Sequence, residues 1–251
     1  MNTRASSRFL ASIALVSLAV ALGWPTAGYA AVTIKAQWVK GTFNGLDPTD
    51  GAWKKATEST VTLDTTITAT GIPQLVPTSK YRYLKVKAIH NGADIFFRLQ
   101  WTDSTQNASV GDTMLFADAV ALEIPYGTNS SIAMGNQMQP VDILYWRADL
   151  GDPATGLGQP QNIVAGGAGT VQTSPESATL STAFSQGYAS GAWTVVMRRP
   201  LGGASSPSGD LATLSPGRSY RVTFAQWDGA SEERNGVKLV AGTWQTLFVN
   251  N

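Results

Sequence analysis

Residues 81–101, YRYLKVKAIHNGADIFFRLQW, alternate in a way that no helix could use. Leu84, Val86 and Ala88 fall on one face with charges opposite, and Ile95, Phe97, Leu99 and Trp101 repeat the pattern after a break. A period of two marks half-buried strands, and the Asn91-Gly92 pair between the runs is a strong two-residue hairpin signal. Further runs rich in Val, Ile, Thr and aromatic residues lie at 118–124, 141–146, 192–198, 219–227 and 243–249, with an earlier one near 60–68. Such residues fit pleated, half-buried strands. The connections are rich in Gly, Pro, Ser and Thr; the longest is expected from Leu150 to Ser181, and a shorter one, GGASSPSGD, covers 202–210. No internal repeat or long amphipathic helix interrupts this order. The expected fold is therefore all-β, a single antiparallel β-sandwich with long loops, formed by residues 31–251 as one domain.

The first thirty residues are read separately. Arg4 and Arg8 precede the apolar run FLASIALVSLAVALGW, and Gly28-Tyr29-Ala30 supplies small residues where a signal peptidase cuts. Residues 1–30 are expected to be a cleaved Sec-type signal peptide, so that the mature chain is exported and carries no membrane anchor. Its loss leaves 16 basic against 17 acidic residues, with none of the basic footprint of a nucleic-acid-binding protein. The chain has no cysteine, so disulfides, thiolate metal sites and covalent haem attachment are excluded. It has one histidine, His90, so a site built on two histidines is excluded too.

Hydrolase chemistry finds no support. The G-x-S-x-G elbow is missing, and no carboxylate pair stands out as an acid–base couple. A carbohydrate-binding or adhesion module is the alternative reading, because eight tryptophans could build a stacking platform. Trp101, Trp146, Trp227 and Trp244 lie in strand patterns, however, where core packing is the ordinary role.

A more specific signal lies in ADAVALEIPYGTNSSIAMGNQMQPVDILYWRAD (117–149) and RVTFAQWDGASEERNGVKLVAGTW (221–244). With VKAIHNGADIFFRLQWTD (86–103) and WTVVMRRPL (193–201), these segments resemble the haem-binding γ subunits of type II enzymes of the dimethyl sulfoxide reductase family. That group includes ethylbenzene dehydrogenase, dimethyl sulfide dehydrogenase, selenate reductase and chlorate reductase. The resemblance implies one noncovalent b-type haem, held by loops at one side of the sandwich, with a methionine and a lysine as axial ligands to the iron. The methionine falls in the Met-Gly stretch after the Asp-Ala-Val-Ala-Leu strand, Met134-Gly135, with Met138 four residues on as the reserve. The lysine falls in the Glu-Arg-Asn-Gly-x-Lys stretch and is Lys238. The implied partners are a molybdenum-cofactor catalytic subunit and an iron–sulfur subunit, in a heterotrimer, and a soluble c-type cytochrome. The implied role is to relay single electrons rather than to catalyse, with chlorate or selenate reductase favoured among the parent complexes.

Composition agrees with this without demanding it. A haem protein with this inventory must use His90, an oxygen, a lysine or one of the mature chain's methionines, Met114, Met134, Met138 and Met197. A lysine binds iron only as the neutral amine, against a reference pKa near 10.4; burial and the metal both favour the loss of its proton. Without the resemblance, Lys238 would be read as solvated or as a rim partner of Glu232 or Glu233. Glu232, Glu233 and Arg234 are expected to form a solvated shoulder, and His90 to be a polar surface residue. Arg147, Arg198 and Arg199 are available to haem propionates, although the RRP at 198–200 would equally suit a partner contact.

Overall fold

The computed structural model describes residues 29–67, 81–110, 115–150, 161–167, 169–173, 183–202 and 211–251. Residues 1–28 of the expected signal peptide, Met114 and the 203–210 loop lie outside the described residues, as do parts of the 150–181 connection. The strands in chain order are β1 (Thr33–Trp38), β2 (Ser59–Leu63), β3 (Thr65–Ile67), β4 (Arg82–His90), β5 (Asp94–Thr102), β6 (Ala119–Pro125) and β7 (Val141–Arg147). They continue with β8 (Gln161–Ala165), β9 (Gln172–Thr173), β10 (Ala183–Ala189), β11 (Ala192–Pro200), β12 (Arg218–Trp227), β13 (Lys238–Val240) and β14 (Gln245–Val249).

Two sheets share β12. Its first half, from Arg218 to Val222, pairs with β14 in a sheet ordered β10-β11-β5-β4-β1-β14-β12. Its second half, from Thr223 to Trp227, pairs with β6 in a sheet ordered β3-β13-β12-β6-β7-β8-β9. The all-β sandwich expectation holds, with one departure: β1 runs parallel to both β4 and β14. Parallel neighbours need a long crossover, and β1 has one, because its partners come from distant parts of the chain. The 150–181 segment is also not wholly loop, since β8 and β9 extend the second sheet within it. The β4–β5 hairpin forms where the Asn-Gly pair marked it. Asn91 N–H donates to the Asp94 carbonyl at 3.1 Å, and Gly92, at φ +92°, opens the turn. The Asn91 side chain accepts from Ala93 N and Asp94 N.

Between the sheets, Leu84, Val86, Phe97 and Leu99 meet Leu122, Leu144, Val222 and Phe224 in one buried cluster. Trp101, Trp146 and Trp193 join it as a group of rings with centroids 5.1–6.3 Å apart. Two of their indole nitrogens are satisfied, Trp146 by Gln186 at 2.6 Å and Trp193 by Asp118 at 2.9 Å. These tryptophans are core, not a platform. Trp244 is half-buried with the Arg221 guanidinium 4.9 Å above its ring.

The second sheet is covered on its outer face as well. Ala119, Ala121, Val141, Ile143, Ile163, Ala165, Ala225, Trp227 and Val240 form a separate buried cluster there. Burial of both faces explains why β6 reads AVALEIP, an almost continuous apolar run, instead of alternating.

Two surface expectations are corrected. His90 is buried: β4 runs on to pair it with Trp38, and its Nε2 lies 2.9 Å from the Asn250 carbonyl oxygen. Burial lowers its pKa, so the ring is held neutral. Arg199 is neither a propionate donor nor a partner contact, because it is buried in the core against Asp142.

Candidate functional site

On the outer face of the second sheet the strand register sets side chains in rows. Trp227 of β12 lies across from Ala119 of β6, which lies across from Arg147 of β7. The next row holds Val240, Ala225, Ala121 and Tyr145, and the one after it Thr223, Glu123 and Ile143. Alanine at 119, 121 and 225 leaves a shallow floor. Trp227 and Tyr145 stand beside it edge to face, with centroids 5.4 Å apart.

Lys238 opens β13 and reaches over this floor. It is only 4% exposed. Its Nζ lies 3.7 Å from the Met134 sulfur, 3.4 Å from the Asn235 carbonyl oxygen and 5.0 Å from the centroid of the Trp227 ring. The two residues named from sequence, 104 positions apart, are thus brought into contact. The reserve, Met138, is 92% exposed at the tip of the same connection.

Both backbones that carry this pair are tied down. Met134 has φ +67° and Gly135 φ +71°. A left-handed methionine is uncommon, and such strain persists only where the surroundings over-determine it. Here Gly135 N–H donates to the Ser131 carbonyl and Gly167 N–H to the Met134 carbonyl, each at 2.8 Å. The Met134 N–H lies close enough to the Glu123 carboxylate to favour its charged form. A Cβ at Gly135 would come within 2.9 Å of the Ala165 carbonyl oxygen, so glycine is required there twice over.

The loop before Lys238 is fastened by a residue expected in water. Glu233 is buried, and its carboxylate takes two N–H bonds from Arg82, at 2.7 and 2.5 Å, and one from Asp228 N at 3.0 Å. The solvated-shoulder expectation is corrected for Glu233, because a fork-to-fork pair with Arg82 satisfies its charge inside. Arg234 lies 4.1 Å over the Phe116 ring. Asn235, at φ +50°, makes the turn that points Lys238 inward.

The electrostatics follow from burial. It pushes the Lys238 amine down to about 8, opposed by the neighbouring Glu123 carboxylate. It pushes Glu123 up to about 8, opposed by Lys238 and by the Met134 N–H. With nothing bound at the site, the two shifts act on stability in opposite directions. Folded Glu123 holds an extra proton between about pH 4.5 and 8, so stability falls as pH rises through that window. Folded Lys238 lacks one between about pH 8 and 10.5, so stability climbs again. Urea titration of the ligand-free protein is expected to show a minimum near pH 8, and Glu123→Gln to remove the fall on the acid side. A flat profile would contradict the burial of this pair.

An amine poised to lose its proton beside a thioether suits a metal that accepts nitrogen and soft sulfur. The apolar floor and the aromatic side walls suit a flat, greasy group. The residues present therefore fit a haem. The sequence reasoning missed Glu123 and the alanine floor; the lone carboxylate inside the apolar run of β6 was the available signal.

The fold and this site define a β-sandwich module with a buried amine–thioether donor pair on one sheet. Residues 50–184 match the family described as ethylbenzene dehydrogenase, and the chain belongs to that family. It is 32% identical over 208 residues to the chlorate reductase subunit gamma of Ideonella dechloratans, covering 81% of this chain and 80% of that one. A protein of Haloferax mediterranei with the provisional name respiratory nitrate reductase heme subunit is 30% identical, covering 80% and 67%. The dimethylsulfide dehydrogenase subunit gamma of Rhodovulum sulfidophilum is 28% identical, covering 79% and 73%. Among solved structures, a family 9 carbohydrate binding module from Caldicellulosiruptor kristjanssonii in complex with cellotriose aligns with a TM-score of 0.48 at 11% identity, over 87% of this chain and 94% of that one.

Proposed function

We propose that this chain is the haem-binding, electron-transferring γ subunit of a molybdenum oxidoreductase complex, with Lys238 and Met134 as the axial ligands of one noncovalent b-type haem. The observation that carries the reading is the buried Lys238–Met134 contact at 3.7 Å, joined to relatives whose names specify gamma and heme subunits. When bound, the haem supplies a one-electron ferric–ferrous couple. The protein's part is to hold and insulate it. Lys238 gives up a proton that burial has already loosened, and Met134 offers a soft donor from a fixed backbone. Two strong side-chain donors leave no place for a substrate, so the role is electron relay and not catalysis.

The remaining parts of the reading are proposed with it. The partners are a molybdenum-cofactor catalytic subunit and an iron–sulfur subunit, with a soluble c-type cytochrome as the exchanging carrier. The site of action is the periplasm after cleavage behind Ala30. The parent complex is an oxyanion reductase of the chlorate or selenate type.

The test is a visible spectrum of the protein purified with haem supplied, followed by co-purification of its partners. A Soret band with low-spin features is expected. A colourless, folded protein overturns the reading in favour of a carbohydrate-binding module. Loss of even an outer-shell partner costs a metal site about 10–100-fold, so Met134→Ala is expected to weaken haem retention at least tenfold and to lower the reduction potential. Met138→Ala, at an exposed position, is expected to change neither; the reverse pattern would reassign the thioether ligand.

A further inference from the structure

At the end of the sandwich where the Lys238 loop begins, three carboxylates converge from three strand ends. Asp103 follows β5, Asp118 precedes β6 and Asp228 follows β12, and one carboxylate oxygen from each lies within 4.8 Å of the others. Arg82 is 3.5 Å from Asp228, but its charge is already matched by the bidentate Glu233. Among the described residues, the three carboxylates share this corner with the Arg82 guanidinium as their one ion-pair partner, and Glu233 already engages it. Burial raises Asp118 to about 6, and burial and the nearby Asp228 carboxylate both push Asp103 up, the expected response of crowded, desolvated carboxylates.

A second observation points the same way. Asp103 and Asp228 line a pocket of about 270 Å³ that Gln226 also lines. Gln226 is 1% exposed, and its side-chain oxygen has no hydrogen-bond partner. A buried amide oxygen left unpaired costs about 1–3 kcal/mol, and a strand interior offers many cheaper residues. A buried side-chain oxygen without a donor is thus held on a residue that lines the same pocket as two of the three carboxylates.

We propose that Asp103, Asp118 and Asp228, with the side-chain oxygen of Gln226, bind a calcium ion that ties the ends of β5, β6 and β12 together beneath the Lys238 loop. Three oxygens spread evenly on one ion at about 2.3–2.6 Å lie up to about 4.5 Å apart, so from the 4.8 Å limit a contraction of at most a few tenths of an ångström gathers all three. All four donors are hard oxygens, and a site drawn from three strand ends suits the flexible coordination of calcium better than the octahedron that magnesium demands. The ion also answers both anomalies, since it balances the surplus charge and gives Gln226 a partner. Asp118 already accepts from Gly229 N, Asn107 N and Trp193 Nε1, which fixes its carboxylate in place. Asp228 accepts from Ser231 and begins the turn that leads to Lys238, so the ion anchors that loop at its root.

The test uses the full chain after EDTA treatment and dialysis, titrated with CaCl2 by calorimetry and followed by thermal unfolding. A dissociation constant between about 10⁻⁵ and 10⁻³ M is expected, with a Tm rise of about 5 °C or more at saturation. Asp103→Asn, at a half-exposed position, and Gln226→Leu, which leaves the charge unchanged, should each weaken binding at least about tenfold. Glu58→Gln, at an exposed carboxylate paired with Lys85, should leave it unchanged. Asp118 is left alone, because its buried carboxylate holds three N–H groups and its loss would confuse folding with binding. No heat and no Tm shift at 10 mM calcium (about tenfold above the weakest expected constant) overturns the proposal, as does binding that survives both Asp103→Asn and Gln226→Leu. A response to magnesium as strong as that to calcium overturns the choice of ion.

Discussion

Lys238→Ala is expected to abolish stable haem binding, lowering affinity by about 100-fold or more and removing the low-spin visible spectrum. The amine lies against the Met134 sulfur on an apolar floor, and the chain's one histidine is not available there: His90 is buried at the end of β4, in the other sheet. The argument separates ligation from folding. Burial already works against the Lys238 ammonium, so Lys238→Leu should leave the haem-free protein as stable as the parent, or more so, while losing haem just as completely. Lys238→Arg sharpens the test. It keeps the charge and length of the side chain, yet a guanidinium does not deprotonate in proteins, so it should fail as badly as alanine. Retention of the low-spin spectrum by Lys238→Arg would mean that the nitrogen ligand is another group. The co-purified complex should still assemble around Lys238→Leu but pass no electrons to an external acceptor.

The strands were legible where one face is dry and the other wet. In β4 and β5 the alternation is explicit, and Asn91-Gly92 marks the reversal. It was least legible where both faces are covered, as in β6, or where a strand is short. β13 holds only Lys238, Leu239 and Val240, too few to show a period, and its position is set by pairing with β12 and β3. β8 and β9 sit within a segment whose Gly and Pro content reads as loop. At the site, Met134 and Lys238 stood out only through their flanking motifs, because neither residue type signals a ligand. Glu233 and His90 misled for one physical reason. Local sequence shows a polar residue beside a turn but not the distant group that covers it, Arg82 for one and the Asn250 carbonyl for the other. The alanine floor of Ala119, Ala121 and Ala225 is a property of register across two strands, which no single segment contains.

Arg199→Met is expected to destabilise the fold by about 3–5 kcal/mol without touching the haem site. Arg199 on β11 and Asp142 on β7 are both 0% exposed and joined at 2.7 Å across the space between the sheets. The guanidinium also donates to the Ala212 carbonyl, and Asp142 accepts from Ala212 N at 2.8 Å, so the pair holds the 211–214 segment against both sheets. Removing the arginine strands a carboxylate in the core, which is the costly way to break a buried pair; removing both charges is far cheaper. Arg199→Met should therefore lower Tm by about 6–20 °C for a chain of this size, and Arg199→Met combined with Asp142→Leu should recover much of that loss. The coupling in such a cycle is expected to be about 2 kcal/mol or more. Equal stabilities for the single and double variants would show that the pair contributes little beyond packing. The visible spectrum of folded, haem-loaded Arg199→Met should match the parent, because Arg199 faces the core between the sheets and Lys238 and Met134 lie on the far side of the second. A spectral change in that variant would return Arg199 to the haem, against its position in the fold.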